Sequence, residues 1–528
     1  MQNWNEGYFS DFSYTKGYYS AINPLLMNFH LALAGIKSNT IDERAEDISP
    51  PPEFNYLELG FGMGISVNIH AATSRGCYSA VDFNPEHMAY ANTYAKSDNI
   101  TLYNESFKEC LARLEKEKIT FDYICFHGIF SWISKENRDI ILEIVYKFLK
   151  VGGVVYNSYN CFPQQVFALS IKEILSLHHQ LNRSIDVNAS DRLLRSIEFL
   201  SKFTKINPLF MRNPDVSNFI SRISDMKNSD ITYLAHEYLN AEWNVFYFYE
   251  IAKMMENVKC SYVVNTDPLD HLDGCNLSEE AREFLSGIAD PIFREQLKDY
   301  CVNRNFRGDI FVKGIYRFGQ NVSMQRILNT RFVLITPITA FKSDMDVVLG
   351  TLSLDKDLYK RVLEYLQSQS YRPKSSSEIM QECDMDFSSL VTSVLVLIKQ
   401  GMLFPTQNID ETIKNRARAY NEILFNQQLH DETNVYVAAP LINSCIGVGI
   451  IEQLIMKTYI ENVKDKDKDK DKHKLALKTF ELFKKYGKKV VENGVVIEKD
   501  SENIKKIEAV VKEFMEKLPL YQVLGILD

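Results

Sequence analysis

Gly60, Gly62 and Gly64 stand at every second position after an apolar run, Asn55-Tyr-Leu-Glu-Leu59, that carries one acid, Glu58. Glycines at the end of a strand let the backbone come close to a bound nucleotide-like ligand, because no Cβ intervenes. A dinucleotide fingerprint would need a glycine or alanine where Ile65 stands. The next apolar run, Tyr78-Ser-Ala-Val-Asp82, ends in a second acid, and Asp82 can accept two hydrogen bonds from ribose hydroxyls. Phe61, Phe83 and Asn84 flank these two acids. A third run leads into Asn104-Glu105-Ser106-Phe107, a strand end that offers an amide and an acid as hydrogen-bond acceptors, with Phe107 packing beside them. A fourth leads into His127-Gly128. Glu58, Gly60, Phe61, Gly62, Gly64, Asp82, Phe83, Asn84, Asn104, Ser106, Phe107, His127 and Gly128 are therefore the expected cofactor-binding residues.

Other residues point to an acceptor. Phe126-His127-Gly128-Ile-Phe130-Ser131-Trp132 combines a strand end, a glycine and aromatics, and a tryptophan face suits a sulfonium or an ammonium through cation–π attraction. Tyr159 and Asn160 follow a fifth apolar run and can orient an incoming amine. The stretch from His236 through Tyr238 and Trp243 to Tyr249 concentrates acids and aromatics, which suits a cationic side chain with an aliphatic stem. Tyr19 lies before the first run and is expected to fold over it. Tyr19, Trp132, Tyr159, Asn160 and Tyr238 are the expected acceptor-side residues.

Positioning these groups takes a regular frame. Apolar runs at 55–59, 78–82, 100–103, 121–126 and 154–158 alternate with helical patterns at 67–72, 85–95 and 138–149. That alternation predicts an α/β fold with a parallel, doubly wound, Rossmann-like sheet, followed by mostly helical domains. We divide the chain into an N-terminal helix and linker (1–54), a cofactor-binding sheet domain (55–163), a helical middle region (164–330), a winged-helix-like domain (331–410) and a C-terminal domain (411–528). The linker carries Pro50-Pro51-Pro52. The winged-helix-like region reads as helices at 358–366, from Ser375 with a capping-box pattern, and at 387–401, then an extended turn at 402–405. Its third helix carries one basic residue, Lys399, at its end, so it is not expected to read DNA. The Lys-Asp run from Lys464 to Lys474 cannot bury a face and is expected to be a solvated edge or loop.

Composition narrows the class further. The chain has 528 residues, 45 % hydrophobic and 24 % charged, which suits several ordinary globular domains. A net charge of −9 disfavours non-specific nucleic-acid binding. The nine cysteines include no Cys-x-x-Cys pair, so neither a zinc ribbon, a disulfide framework nor another metal site is expected. The first residues carry no basic or apolar leader, and no apolar run reaches the ~20 residues of a membrane span. A cytoplasmic protein without membrane insertion is the expectation.

Glu58, the glycine run and Asp82 together form the pattern of class I methyltransferases that bind S-adenosylmethionine. The chain more closely resembles the methyltransferases with a methyltransferase regulatory domain, a family that includes rickettsial protein-lysine methyltransferases acting on an outer-membrane protein. The shared pieces are Gly17-Tyr-Tyr19-Ser-Ala-Ile-Asn23-Pro24, Leu57 through Ser66, Asn68-Ile-His70-Ala-Ala72, Asp82-Phe-Asn84-Pro85-Glu-His87, His127 through Ser134, and Ser158-Tyr-Asn160. His236-Glu-Tyr-Leu239, Arg294 through Asp299 and Asn303 through Phe311 continue the match. The resemblance implies a cytoplasmic, dimeric enzyme that uses S-adenosylmethionine to methylate lysine side chains of a protein, such as a surface protein. Asn104 departs from the family, which often has Asp there, and the Lys-Asp run belongs to no family motif. Two other readings remain open: a methyltransferase for a small molecule, and a binding or scaffold protein with a degenerate methyltransferase domain.

Overall fold

The structure is a computed structural model. It describes residues 14–182, 189–226, 231–430, 434–464, 472–492 and 495–528.

Seven strands form the central sheet: β1 (Asn55–Leu59), β2 (Cys77–Asp82), β3 (Ile100–Asn104), β4 (Phe121–Phe126), β5 (Leu149–Asn160), β6 (Cys260–Asn265) and β7 (Phe306–Lys313). Their spatial order is β3-β2-β1-β4-β5-β7-β6. Strands β1 to β5 pair in parallel, and β7 runs antiparallel to both β5 and β6. The central strands are apolar on both faces because helices cover both. Leu57, Leu59, Ile124 and Phe126 face one layer, which includes Leu114 of α4 (Phe107–Glu117) and Ile141 and Val145 of α5 (Lys135–Phe148). Tyr56, Ala80, Tyr123 and Cys125 face the other, with Met27 of α1 (Pro24–Leu33), Val67 of α2 (Ile65–Thr73) and Ala91 of α3 (Pro85–Tyr94).

The sheet does not close at residue 163, where the sequence reading ends its domain. Strands β6 and β7 complete it, so residues 165–257 are a helical excursion between β5 and β6. That excursion comprises α6 (Gln165–Leu181), α7 (Ala189–Lys205), α8 (Pro214–Met226), α9 (Ile231–Leu239) and α10 (Phe248–Asn257). β7 escapes a hydrophobic pattern search because its inward positions include charges. Arg307 is fully buried and bonds Asp309 (2.8 Å), Asp299 (2.6 Å) and Glu295 (2.9 Å). Such a set is tolerated in a core only when fully paired.

Farther along, Arg331–Leu334 is the middle strand of a small antiparallel sheet with Lys374–Ser375 and Leu403–Pro405. Helices Lys356–Tyr371, Ser376–Glu382 and Phe387–Lys399 pack beside it. The capping box forms: Ser375 Oγ accepts from the Glu378 amide (3.1 Å), and the Glu378 carboxylate accepts from the Ser375 amide (2.6 Å). Helix Glu411–Gln427 lies on α2 and α3, with Arg416 paired to Asp98 (2.6 Å) and Tyr420 against Tyr94. The hairpin Tyr436–Ala439/Ser444–Gly447 returns toward the N-terminal segment, where Ser444 Oγ and Tyr18 Oη are 2.6 Å apart. Most of the Lys-Asp run lies outside the described residues. Among the described residues, no helix is long and apolar enough to cross a membrane.

Candidate active site

The sheet delivers Glu58, Asp82 and His127 to the same C-terminal edge, since β1 pairs in register with both β2 and β4. After β1 the chain turns through three left-handed glycines, with φ of +76° at Gly60 and +70° at Gly64. A Cβ on Gly60 would lie 2.3 Å from Ile129 Cδ1, and one on Gly64 2.6 Å from Ala91 Cβ. Glycine is therefore required twice over, by dihedral and by space. The Gly62 amide donates to Asp82 Oδ2 at 2.8 Å, which ties the turn to β2.

A cavity opens over this edge. Its walls include Glu58, Gly60, Phe61, Gly62, Asp82, Phe83, Ser106, Phe107, His127 and Gly128. Glu58 is buried, and its Oε2 has no hydrogen-bonding partner. Burial first, and the neighbouring Asp82 second, push its carboxyl up to about 8. It therefore holds a proton at neutral pH until a cation arrives. His127 is pushed down to about 4 by burial, so it presents a neutral ring. That ring lies 4.1 Å from Tyr19 between centroids and 3.0 Å, through Nδ1, from the Tyr156 hydroxyl.

The other walls come from farther away in the chain. Tyr14 and Tyr19 cross the top of the cavity, and the Tyr19 amide donates to Ser66 Oγ at 2.9 Å, anchoring this segment to α2. On a third side stand Trp132, His236, Glu237 and Asn240, the last three from α9 and the residue after it. Trp132 stacks on Trp243 at 5.5 Å.

Comparison with known proteins agrees with this geometry. Residues 57–153 match the model of a methyltransferase domain, and residues 230–313 match a predicted methyltransferase regulatory domain. A Synechocystis protein, sll1526, is 30 % identical over 99 % of both chains. The chain belongs to the methyltransferases that carry a regulatory domain. A Rickettsia prowazekii protein, RP789, is 24 % identical over 58 % of this chain and 52 % of its own. Among solved structures, PKMT2 from Rickettsia typhi in complex with AdoHcy superposes with a TM-score of 0.68 at 19 % identity, over 96 % of this chain and 98 % of that one. That likeness extends the shared fold past the sheet to nearly the whole length.

The cofactor of a class I methyltransferase is S-adenosylmethionine, and the cavity fits it. The glycine turn leaves room for close backbone approach, Asp82 offers an acceptor for a ribose, and Glu58 is a buried carboxyl with an orphaned oxygen suited to an ammonium group. The methyltransferase places several expected residues elsewhere. Gly64 is the N-cap of α2 and packs toward α3. Asn84 caps α3, its Oδ1 accepting from the Glu86 amide at 2.9 Å. The Asn104 amide donates to the Asp82 carbonyl at 2.9 Å and does not line the cavity, whereas Glu105 does, held by Arg113 at 2.6 Å. Tyr159 points into the sheet core and donates to Asp309 at 2.6 Å. Asn160 is buried at the β5–β7 ladder, its backbone N–H donating to Ser131 Oγ at 2.9 Å. Tyr238 faces the core of the excursion, edge-on to Phe219 and Trp243. Its neighbours His236, Glu237 and Asn240 turn to the cavity instead, because one helix presents different residues to its two sides. Tyr14, His87, His236, Glu237 and Asn240 were not among the expected site residues, although Tyr238 and the stretch from His236 onward were expected on the acceptor side. The acids and aromatics of α9 were the available signal, and the helical phase was what remained undetermined.

Proposed function

We propose that this methyltransferase transfers a methyl group to the side chain of lysine in a protein. The observation that carries the reading is the lining of the cavity. An acid, Glu237, stands there with the aromatic faces of Tyr14, Tyr19 and Trp132 beside the cofactor site. A lysine brings an aliphatic stem and an amine, and such walls accommodate both. Two further facts support it: the whole-chain likeness to PKMT2, and the large share of the chain that lies outside the sheet domain, more than a small acceptor needs.

S-adenosylmethionine, when bound, supplies a methyl group on a sulfonium that leaves readily. The chain's contribution is to bind, align and dry the reactants. Glu58, the glycine turn, Asp82, Phe83, Ser106, Phe107, His127 and Gly128 hold the cofactor half. Tyr14 and Tyr19 roof it and exclude water. Trp132, fixed by its stack on Trp243, lines the approach of the amine. A free lysine has a pKa near ~10.4, so about one amine in 2,500 is neutral at pH 7. Partial desolvation between these rings favours the neutral, nucleophilic form, and no strong base is required. His127, neutral and held by Tyr156, does not compete for the proton.

The enzyme acts in the cytoplasm as a homodimer. Leu177, Leu181, Ile206 and Leu209 on the helical excursion are exposed apolar side chains, which contact with a second copy would take out of water. Trp132→Ala tests the assignment of the two halves. Cofactor binding should stay near native while transfer to protein falls about 10- to 100-fold through lost alignment. Parallel loss of both would move Trp132 to the cofactor half and remove the proposed lysine channel.

A further inference from the structure

We propose that His87 is a second ribose-recognising residue, accepting through Nε2 the hydroxyl that Asp82 has no room for. This rests on the cofactor assignment above.

A carboxylate offers about four lone-pair positions. Three of those on Asp82 are engaged within the chain. The Gly62 amide donates to Oδ2 at 2.8 Å, and on Oδ1 the Asn84 amide (2.9 Å) and His87 Nδ1 (3.1 Å) both converge. One position remains, on Oδ2, enough for one hydroxyl of a vicinal pair. The expectation that Asp82 takes both ribose hydroxyls therefore leaves one without an acceptor.

His87 supplies it. An ionised carboxylate only accepts, so the Nδ1 facing Asp82 carries the hydrogen, and in the neutral ring the lone pair lies at Nε2. His87 stands on the first turn of α3, is 2 % exposed, and lines the cavity beside Asp82 and Phe83. Its Nε2 is buried with no hydrogen-bonding partner in the chain. A buried acceptor left unpaired is costly, and native structures seldom keep one without a ligand or water to fill it. The bond to Asp82 fixes the ring, so Nε2 is held ready and a ligand hydroxyl there satisfies both partners.

Calorimetry on the full-length protein tests this with S-adenosylhomocysteine and its 2′-deoxy and 3′-deoxy analogues. His87→Asn is the informative variant. Its amide nitrogen can take the place of Nδ1 and keep the bond to Asp82, while nothing remains at the Nε2 position. We expect the native protein to bind both analogues more weakly than the parent. His87→Asn should lose about tenfold in affinity for the parent, and one analogue should then bind as well as the parent, because its missing hydroxyl no longer has a partner to lose. His87→Gln, whose amide oxygen reaches toward the Nε2 position, should retain the native preference against both analogues. Native-like affinity in His87→Asn, or a weakened parent with both preferences intact in that variant, would overturn the contact, as would loss of a preference in His87→Gln. Failure of the native protein to bind all three would overturn the cofactor assignment, and the contact with it.

Discussion

Glu58 is where the structure makes its most quantitative demand. The carboxyl is buried, one of its oxygens is unpartnered, and burial with Asp82 nearby raises it to about 8. A cofactor that brings an ammonium group to this carboxyl binds its ionised form, so binding must expel a proton. With a value of 8, about 1 % of free sites are ionised at pH 6 and about 9 % at pH 7, one pKa unit being worth about 1.4 kcal/mol. Affinity should thus rise nearly tenfold from pH 6 to pH 7, with close to one proton released per cofactor bound. The α-amino group of the ligand is itself half deprotonated at about pH 7.7–8.0, so the pH slope is read between pH 6 and pH 7. In Glu58→Gln the slope and the proton release should vanish. Near pH 7.5 the variant should also bind about 3- to 40-fold more weakly. A bond to a charged group, worth ~1.5–3 kcal/mol, is lost, and the cost of ionising Glu58 is removed. The assay is titration calorimetry with S-adenosylhomocysteine in two buffers of different ionisation heat, at three pH values. Native binding without proton release, or an equal pH slope in Glu58→Gln, would refute the reasoning.

Other outcomes follow from the same geometry. The unliganded protein should lose stability as pH rises from about 4 toward 8, because the unfolded chain gives up the Glu58 proton near the ordinary carboxyl value of ~4.3 and the folded chain holds it. Thermal melts with and without cofactor would show this, and the cofactor should flatten the decline. Asp82→Ala removes a ribose acceptor and the anchor of the Gly62 amide, and calorimetry should show at least a tenfold weaker cofactor complex, at ~1.5–3 kcal/mol per charged bond. Tyr238→Ala should cost about 3–5 kcal/mol of stability by emptying the core of the excursion, read by denaturant titration, and should leave cofactor affinity near native. Duplex DNA should not bind in a salt-sensitive, sub-micromolar way. Helix Phe387–Lys399 buries Leu390 and Val394 to Leu397, and its Lys399 is paired to Asp267 at 2.6 Å.

The part of this site that was legible in the sequence is the part set by short-range rules. Glu58, the glycine turn and Asp82 are fixed by a strand end and a tight turn, so type and spacing locate them. The strands β1 to β4 were readable because they are continuous apolar runs between turn signals. β7 was not, because Arg307 and Asp309 sit in its core and only their mutual pairing makes that possible. The roof and the far wall depend on long-range packing. Nothing local places Tyr14 over the glycine turn, or sets the phase of α9 so that Glu237 faces the cavity and Tyr238 faces away. Tyr159 and Asn160 follow β5, as read, yet β7 pairs along that strand end and draws both into the interior. The Asp82 case is subtler. Its position was evident, but its remaining capacity was not, because that depends on three donors that converge only in the fold.

Methyl transfer from isotopically labelled S-adenosylmethionine into a cell extract, with the protein fraction hydrolysed and its modified amino acids identified by mass spectrometry, decides whether lysine is the acceptor. Label should appear in methylated lysine, dependent on the native enzyme and strongly reduced with Asp82→Ala. Label confined to small molecules, or to residues other than lysine, would contradict the lysine assignment.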